Sequence, residues 1–218
     1  MQLLIVRHAE TVWNVEQRIQ GWADSALSAA GVLQARAVAD RLRGLRLGAI
    51  YSSDAARAVR TAECISIWHE IEVEPMTDLR EAGWGEWEGL TAAEISQRAP
   101  ELWKRFLDRG KDGADEAADW ESTTLVPGGE PPQRCAERMA AALAAIRARH
   151  KDAEKIVLVG HGGSLRYLFT TVLGVRPALA RRFHLDNTSV SEIRFDPVHP
   201  PVIRQLNDIS HLRSLDAA

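Results

Sequence analysis

Cysteine is scarce in this sequence: Cys64 and Cys135 are the 2 among 218 residues. They lack CxxC spacing and fall inside stretches of helical periodicity, so they offer neither a disulfide framework nor a thiolate metal knuckle. Two free thiols, buried as small hydrophobes, are the expectation, and a cytoplasmic setting suits them. Long apolar runs are also missing. Nothing approaches the ~20 residues that cross a bilayer, and the stretch Met1–Arg7 is too short for a secretory signal and has no small-residue cleavage site. Charge of one sign is not in excess either: 27 Lys and Arg stand against 30 Asp and Glu, a net charge of -3. That balance provides no general field for nucleic acid or an anionic membrane, so neither is an expected partner and any anion site must be local. Internal repeats, heptads, low-complexity tracts and dividing linkers are absent too.

What is present is an ordinary globular composition, 45% hydrophobic and 26% charged, of a length that commonly makes one domain. Short apolar runs of strand type occur at Leu3–Val6, Ala49–Tyr51 and Ile156–Val159, with a mixed one at Ile71–Met76. Helical periodicity lies between them at Ala30–Leu42, Ala55–Trp68, Thr91–Arg98, Pro100–Arg109, Pro132–Arg149 and Ser164–Leu173. The alternation predicts an α/β fold with a mostly parallel sheet. Ser189–Phe195 and Val202–Leu206 alternate with period two around a Pro-rich turn and predict a closing hairpin. The stretch from Gly110 to Gly129 is the least patterned, a mobile cover or a surface insertion.

Ligands of open α/β sheets bind beyond the carboxyl ends of the strands, and here those ends carry a consistent set. Arg7-His8-Ala9-Glu10-Thr11 follows the first strand; Ser52-Ser53-Asp54, then Arg57 and Arg60, follow the second. Leu79-Arg80-Glu81 follows the third and Gly160-His161-Gly162-Gly163-Ser164 the fourth. Each residue alone has a duller reading. Arg57 can be a solvated or paired cation, Gly162-Gly163 a tight turn, and Glu81 a surface carboxylate or a partner for Arg80.

Taken together they suit phosphoryl transfer. Arginines match phosphate oxygens with a planar fork of donors. A neutral imidazole at His8, kept unprotonated by nearby positive charge, can attack phosphorus. His161 and the amides of Gly162 and Gly163 at a helix start can face the anion. Glu81 can protonate the leaving oxygen if burial or the substrate dianion raises its pKa, and can then activate water. The scheme uses no metal and no cofactor, only a small phosphorylated metabolite.

With these residues in place the sequence resembles the histidine phosphatase superfamily, in the branch of cofactor-dependent phosphoglycerate mutases and related phosphatases. The likeness runs through Leu4-Ile5-Val6-Arg7-His8-Ala9-Glu10-Thr11-Val12-Trp13-Asn14, Gln20-Gly21, Ser52-Ser53-Asp54, Arg57-Ala58, Leu79-Arg80-Glu81, Trp87-Glu88-Gly89 and Val159-Gly160-His161-Gly162-Gly163. It implies a phosphoglycerate mutase-like, three-layer α/β/α sandwich in one domain over 1–218, with an antiparallel sheet member and a lid or insertion at about 82–130. It implies His8 as the phosphorylated nucleophile, Arg7, Arg57 and His161 as the phosphate pocket, and Glu81 as proton donor and acceptor. Asn14, Gln20, Gly21 and the Gly162 amide would be secondary ligands. Two positions depart from the family pattern: Ala9 replaces a Gly, which would matter if φ there were positive, and Pro131 replaces a Ser.

Three rivals to a phosphatase follow. A phosphoglycerate mutase would return the phosphoryl group to a second hydroxyl, but the acid-rich segment from Ala82 to Leu125 suits a retained bisphosphate poorly. An inactive scaffold that binds a phosphorylated ligand would be expected to have lost one of His8, Glu81 or His161. A metallohydrolase lacks support from HxxxH or HExxH spacing. Trp84, Trp87, Trp103 and Trp120 could form an aromatic wall or pack the covering segment, and packing is the reading for Trp103. A homodimer is allowed rather than required.

Overall fold

The computed structural model describes residues 1–108, 124–150, 154–213 and 215. Among these residues six strands form one sheet: β1 (Gln2–Arg7), β2 (Ala49–Ser53), β3 (Val73–Met76), β4 (Lys155–Gly160), β5 (Val190–Arg194) and β6 (Val202–Asp208). Their order across the sheet is β3-β2-β4-β1-β5-β6. The first four are mutually parallel, whereas β5 runs antiparallel to β1 and β6 antiparallel to β5. Pro75, which has no N–H to give to a ladder, sits in edge strand β3, where that loss is tolerated.

Among the described residues seven α-helices accompany the sheet: α1 (Val12–Val15), α2 (Ala29–Leu42), α3 (Ala56–Ser66), α4 (Ala92–Arg98), α5 (Pro100–Asp108), α6 (Pro132–Arg149) and α7 (Gly162–Leu173). Alternate residues of β1 go to opposite faces, and each face has its own core. Leu3 and Ile5 join Met139, Leu143, Ile146, Leu165 and Phe169 under α6 and α7. Leu4 and Val6 join Val38, Leu42, Ala58, Ala62 and Ile65 under α2 and α3. The result is the expected three-layer α/β/α sandwich with a mostly parallel sheet, closed by the hairpin β5–β6.

Local chemistry sets the ends of the elements. Ser28 caps α2 by accepting the Gly31 N–H at 2.9 Å, and Thr91 and Glu94 form a reciprocal capping box on α4. Helix α7 begins two residues before the Ser164 start predicted by periodicity, because its first two residues, Gly162 and Gly163, carry no side chain that an apolar pattern could show. Helix α1 is too short for periodicity to reveal.

A third cluster, built on Trp87, Ile95 and Val126, gathers Ile19, Trp84, Leu102, Trp103 and Phe106 beside the sandwich. Trp103 and Phe106 stack at 5.5 Å between ring centroids, so Trp103 packs as expected. Trp120 and most of the 110–129 stretch lie outside the described residues. Cys64 and Cys135 are free thiols. Among the described residues no helix is long and apolar enough to cross a membrane.

Candidate active site

β1 and β4 lie side by side with Arg7 opposite Gly160, so the two residues that follow, His8 and His161, leave the sheet together. Their ring centroids are 5.1 Å apart, with planes inclined by 58°. His8 is 3% exposed and His161 fully buried.

The hydrogen bonds of the two rings differ in a way that assigns their protons. The Nδ1–H of His8 donates to the Ala9 carbonyl at 2.7 Å; a carbonyl only accepts, so the lone pair of His8 is on Nε2. Arg57 Nε–H donates to His161 Nδ1 at 3.2 Å; a guanidinium only donates, so the proton of His161 is on Nε2. Burial, followed by the charges of Arg57 and Arg7, holds His8 well below the ordinary imidazole range. Burial, then Arg57, does the same to His161. Both rings are therefore neutral near pH 7, one presenting a lone pair and the other a donor.

Beside them opens a cavity of about 240 Å3, lined among others by Arg7, His8, Asn14, Gln20, Gly21, Arg57, Glu81 and Gly162. Residues from four distant parts of the sequence thus meet there. Arg7 donates from Nη1 to Leu185 O at 2.6 Å, while its buried Nε has no hydrogen-bond partner among the described residues. Burial pulls the Arg7 guanidinium below its ordinary range, although arginine stays a cation in proteins. The buried Nε2–H of His161 is likewise without a partner. Orphaned buried donors are costly, and one on Arg7, which lines the cavity, with another on the ring beside His8 is an arrangement suited to an anion.

Other expected residues are placed differently from their sequence reading. Arg57 is 1% exposed, and besides His161 it donates to Ala23 O at 2.8 Å, Asp24 Oδ1 at 3.0 Å and Gly21 O at 2.8 Å. It meets the cavity as a guanidinium already gripped by the 21–24 segment, not as a fork left open. Gly21 can follow that course because its φ is +57°, and a Cβ there would collide with Glu88. Arg60 is exposed and paired with Glu63, away from the cavity. Arg80 pairs in bidentate fashion with Asp54 at 2.7 and 2.6 Å rather than with Glu81.

Glu81 occupies the helix start that the sequence reading left open to an anion. Its carboxylate accepts the Gly163 N–H at 2.9 Å, the Ser164 N–H at 2.7 Å and the Ala82 N–H at 2.8 Å. The reason is electrostatic: α7 has no capping side chain of its own, and its positive end attracts the nearest carboxylate. Gly162 therefore lines the cavity while Gly163 and Ser164 serve Glu81. Asn14 uses its amide oxygen on the Thr11 N–H at 3.1 Å, leaving its Nδ2 donors. Gln20 Oε1 is a buried acceptor with no partner among the described residues. Ala9 is fully buried and is not among the residues with positive φ, so the extra methyl is accommodated without strain. Pro131 sits at the N-cap of α6.

The structure adds residues that the sequence reading did not single out. Arg138, on α6, donates to the carbonyls of Asp78, Arg80 and Glu81 at 2.7, 2.9 and 3.2 Å and to Glu130, fixing the chain on either side of Glu81. Asn187 Nδ2 donates to the His8 carbonyl at 2.9 Å. Trp84, one of the tryptophans read from the sequence as an aromatic wall or as packing, lines the cavity, and Arg18 and Arg166, which the sequence reading did not single out, complete it. No spacing rule connects them to the strand ends, so only the folded chain reveals them. Among the described residues no three or more His, Cys, Asp or Glu side chains group as metal ligands.

The sequence model of the histidine phosphatase superfamily (branch 1) matches residues 3–209. Phosphoglycerate mutase-like protein 4 of Arabidopsis thaliana is 36% identical over 97% of this chain and 86% of that protein. Among solved structures, YhfR of Bacillus stearothermophilus superposes with a TM-score of 0.84 at 30% identity, covering 97% of this chain and 99% of that one. A phosphoserine phosphatase of Entamoeba histolytica, solved with 3-phosphoglyceric acid, gives 0.80 at 29% identity over 97% and 98%.

Proposed function

Since the chain belongs to branch 1 of the histidine phosphatase superfamily, we propose that it hydrolyses phosphomonoesters of small metabolites, without a metal, through a phosphohistidine on His8. The single observation that carries this reading is the opposite protonation of the two buried imidazoles. A nucleophile needs the lone pair that His8 has on Nε2, and a phosphoryl oxygen needs the donor that His161 has on Nε2.

His8 Nε2 attacks phosphorus as the ester P–O bond breaks, and Glu81, which takes up a proton when the substrate's phosphate dianion lies beside it, gives that proton to the departing alkoxide. The amides of Gly163 and Ser164 receive the carboxylate that remains. Water then attacks the phosphohistidine, Glu81 takes one of its protons, and the N–P bond breaks to free phosphate and restore His8. Arg7 and the His161 Nε2–H hold the phosphoryl oxygens, where charge spreads in the transition state, with Asn14, Gln20 and the Gly162 amide as further contacts. Arg57 acts on charge and on the His161 proton.

The similarity to both mutase-like and phosphatase relatives makes the fate of the phosphoryl group the question to test. A mutase must hold a bisphosphate while it turns over, and the nearby cations Arg18 and Arg80 are already paired with Glu16, Glu94 and Asp54. That favours hydrolysis. The test is turnover of a panel of phosphomonoesters, 3-phosphoglycerate among them, with and without chelator, beside His8→Ala. The expected result is free phosphate in both conditions, a phosphoryl adduct on His8 by mass spectrometry, and no turnover by the variant. Interconversion of phosphoglycerates without phosphate release, or activity lost to chelator, would overturn it.

A further inference from the structure

A second cavity, of about 360 Å3, adjoins the first: Trp84, Gly163 and Arg166 line both. Its remaining walls include Phe106, Val126 and Tyr167. The alcohol part of a phosphoryl group seated beside His8 can therefore extend from the first cavity into the second. The shared residue that carries charge is Arg166.

Arg166 lies four residues after Gly162 on α7, hence on the same helix face, and helical side chains lean back toward the N-terminus. That brings its guanidinium over the helix start and near enough to Arg7 for the two charges to oppose each other. Among the described residues Arg166 makes no hydrogen bond or ion pair, and its Nε is buried without a partner. This sets it apart from Arg18, Arg57, Arg80 and Arg138, each held by a carboxylate. A partly buried cation with an orphaned donor, next to a second cation, is unfavourable unless an anion completes it. We propose that Arg166 holds a carboxylate of the substrate, and that the substrate is a phosphomonoester whose acidic organic part lies between Trp84, Phe106 and Tyr167.

A carboxylate fits better than a second phosphate. Arg166 is the cation that both cavities share, and its fork matches two carboxylate oxygens; Arg181, in the wall of the outer cavity, is engaged by the ring and carbonyl of Phe106. A dianion would also face Glu81 and Glu130, which border the same two cavities. The flat aromatic walls suit a ring or a short planar chain.

This inference rests on the phosphatase reading, and the test separates the two. Hydrolysis of p-nitrophenyl phosphate by the wild-type protein decides the reading alone. For Arg166, the probes are 3- and 4-carboxyphenyl phosphate, each against its carboxamide analogue, with wild type, Arg166→Gln and Arg166→Lys. Calorimetric binding of the same four compounds to the proteins supplies a readout that does not require turnover. The wild type should prefer at least one acid over its amide, in kcat/KM or in Kd. Arg166→Gln should shrink that preference by roughly 10- to 100-fold, the range of a charge-assisted hydrogen-bonded pair, and Arg166→Lys should restore part of it. Equal loss for acid and amide would mean that Arg166 serves the phosphoryl group or the fold. A wild type indifferent to the carboxylate at both positions, or an unchanged preference in Arg166→Gln, overturns the proposal.

Discussion

Arg57 donates its Nε–H to Nδ1 of His161 at 3.2 Å, and through that one bond a residue of α3 decides which nitrogen of a ring at the end of β4 carries the proton. Imidazole nitrogens labelled with 15N should report it directly. His8 should appear as the Nδ1–H form, His161 as the Nε2–H form, and neither should titrate near pH 6.5. In Arg57→Met the His161 signals should average between tautomers, and kcat should fall by about 100-fold or more, as when a preorganised donor is lost. A single fixed Nε2–H form in the variant would show that the bond has no such role.

Acid should destabilise the fold earlier than carboxylate titration alone would. Burial holds His8 and His161 below their unfolded value, so under about pH 6.5 the unfolded chain takes up protons that the native one refuses. Stability is unaffected above that pH and falls below it, by up to ~1.4 kcal/mol per pH unit for each ring. Urea unfolding from pH 7.5 to 5 measures the slope, to which His211, held down to about 4, and His69 add, so His8→Gln should flatten it by about a quarter to a third. An identical slope in the variant would contradict the assignment.

Gly163→Ala should separate sterics from general stability. Its Cβ would stand 2.5 Å from Glu81 Oε1, so the carboxylate must leave the helix start. We expect kcat to drop by about 10-fold or more while Tm shifts by only a few degrees. Gly44→Ala, where a Cβ meets nothing within 4 Å, is the control and should gain roughly 0.4–1 kcal/mol. Activity retained in Gly163→Ala would remove Glu81 from the mechanism.

How much of this was legible beforehand depended on the range of the information. Among the described residues all six strands, and every α-helix of more than one turn, showed in the spacing of apolar residues, because β1 and β4 are apolar along their middles and α3 repeats its buried residues every three to four positions. The strand-end residues were also readable, since topology alone carries His8 and His161 to one edge. What could not be read was who bonds whom. The partner of Arg80 is Asp54 and the acceptor of the Gly163 amide is Glu81; both depend on side-chain directions fixed only by packing. Arg138 and Arg166 were missed for the same reason: one acts from mid-helix on a chain segment 57–60 residues away, the other through an absence of partners.

Arg138→Met should cost about 3–5 kcal/mol, because Glu130, with 5% of its side chain exposed, would be left as a buried unpaired charge. Chemical denaturation measures it, and Arg138→Met with Glu130→Gln should recover part of the loss. The exposed Arg60→Ala should stay within about 0.5 kcal/mol. If Arg138→Met unfolds no more readily than Arg60→Ala, the clamp beside Glu81 contributes little.

The alternation along β1 means that the orientation of the reactive ring is guarded by hydrocarbon. Were the strand to slip by a single residue against β4, Leu3 and Ile5 would exchange layers with Leu4 and Val6, and the imidazole would leave the sheet toward the opposite side. Every misregistered chain is thus both poorly packed and chemically silent, and catalysis alone counts the correctly folded molecules.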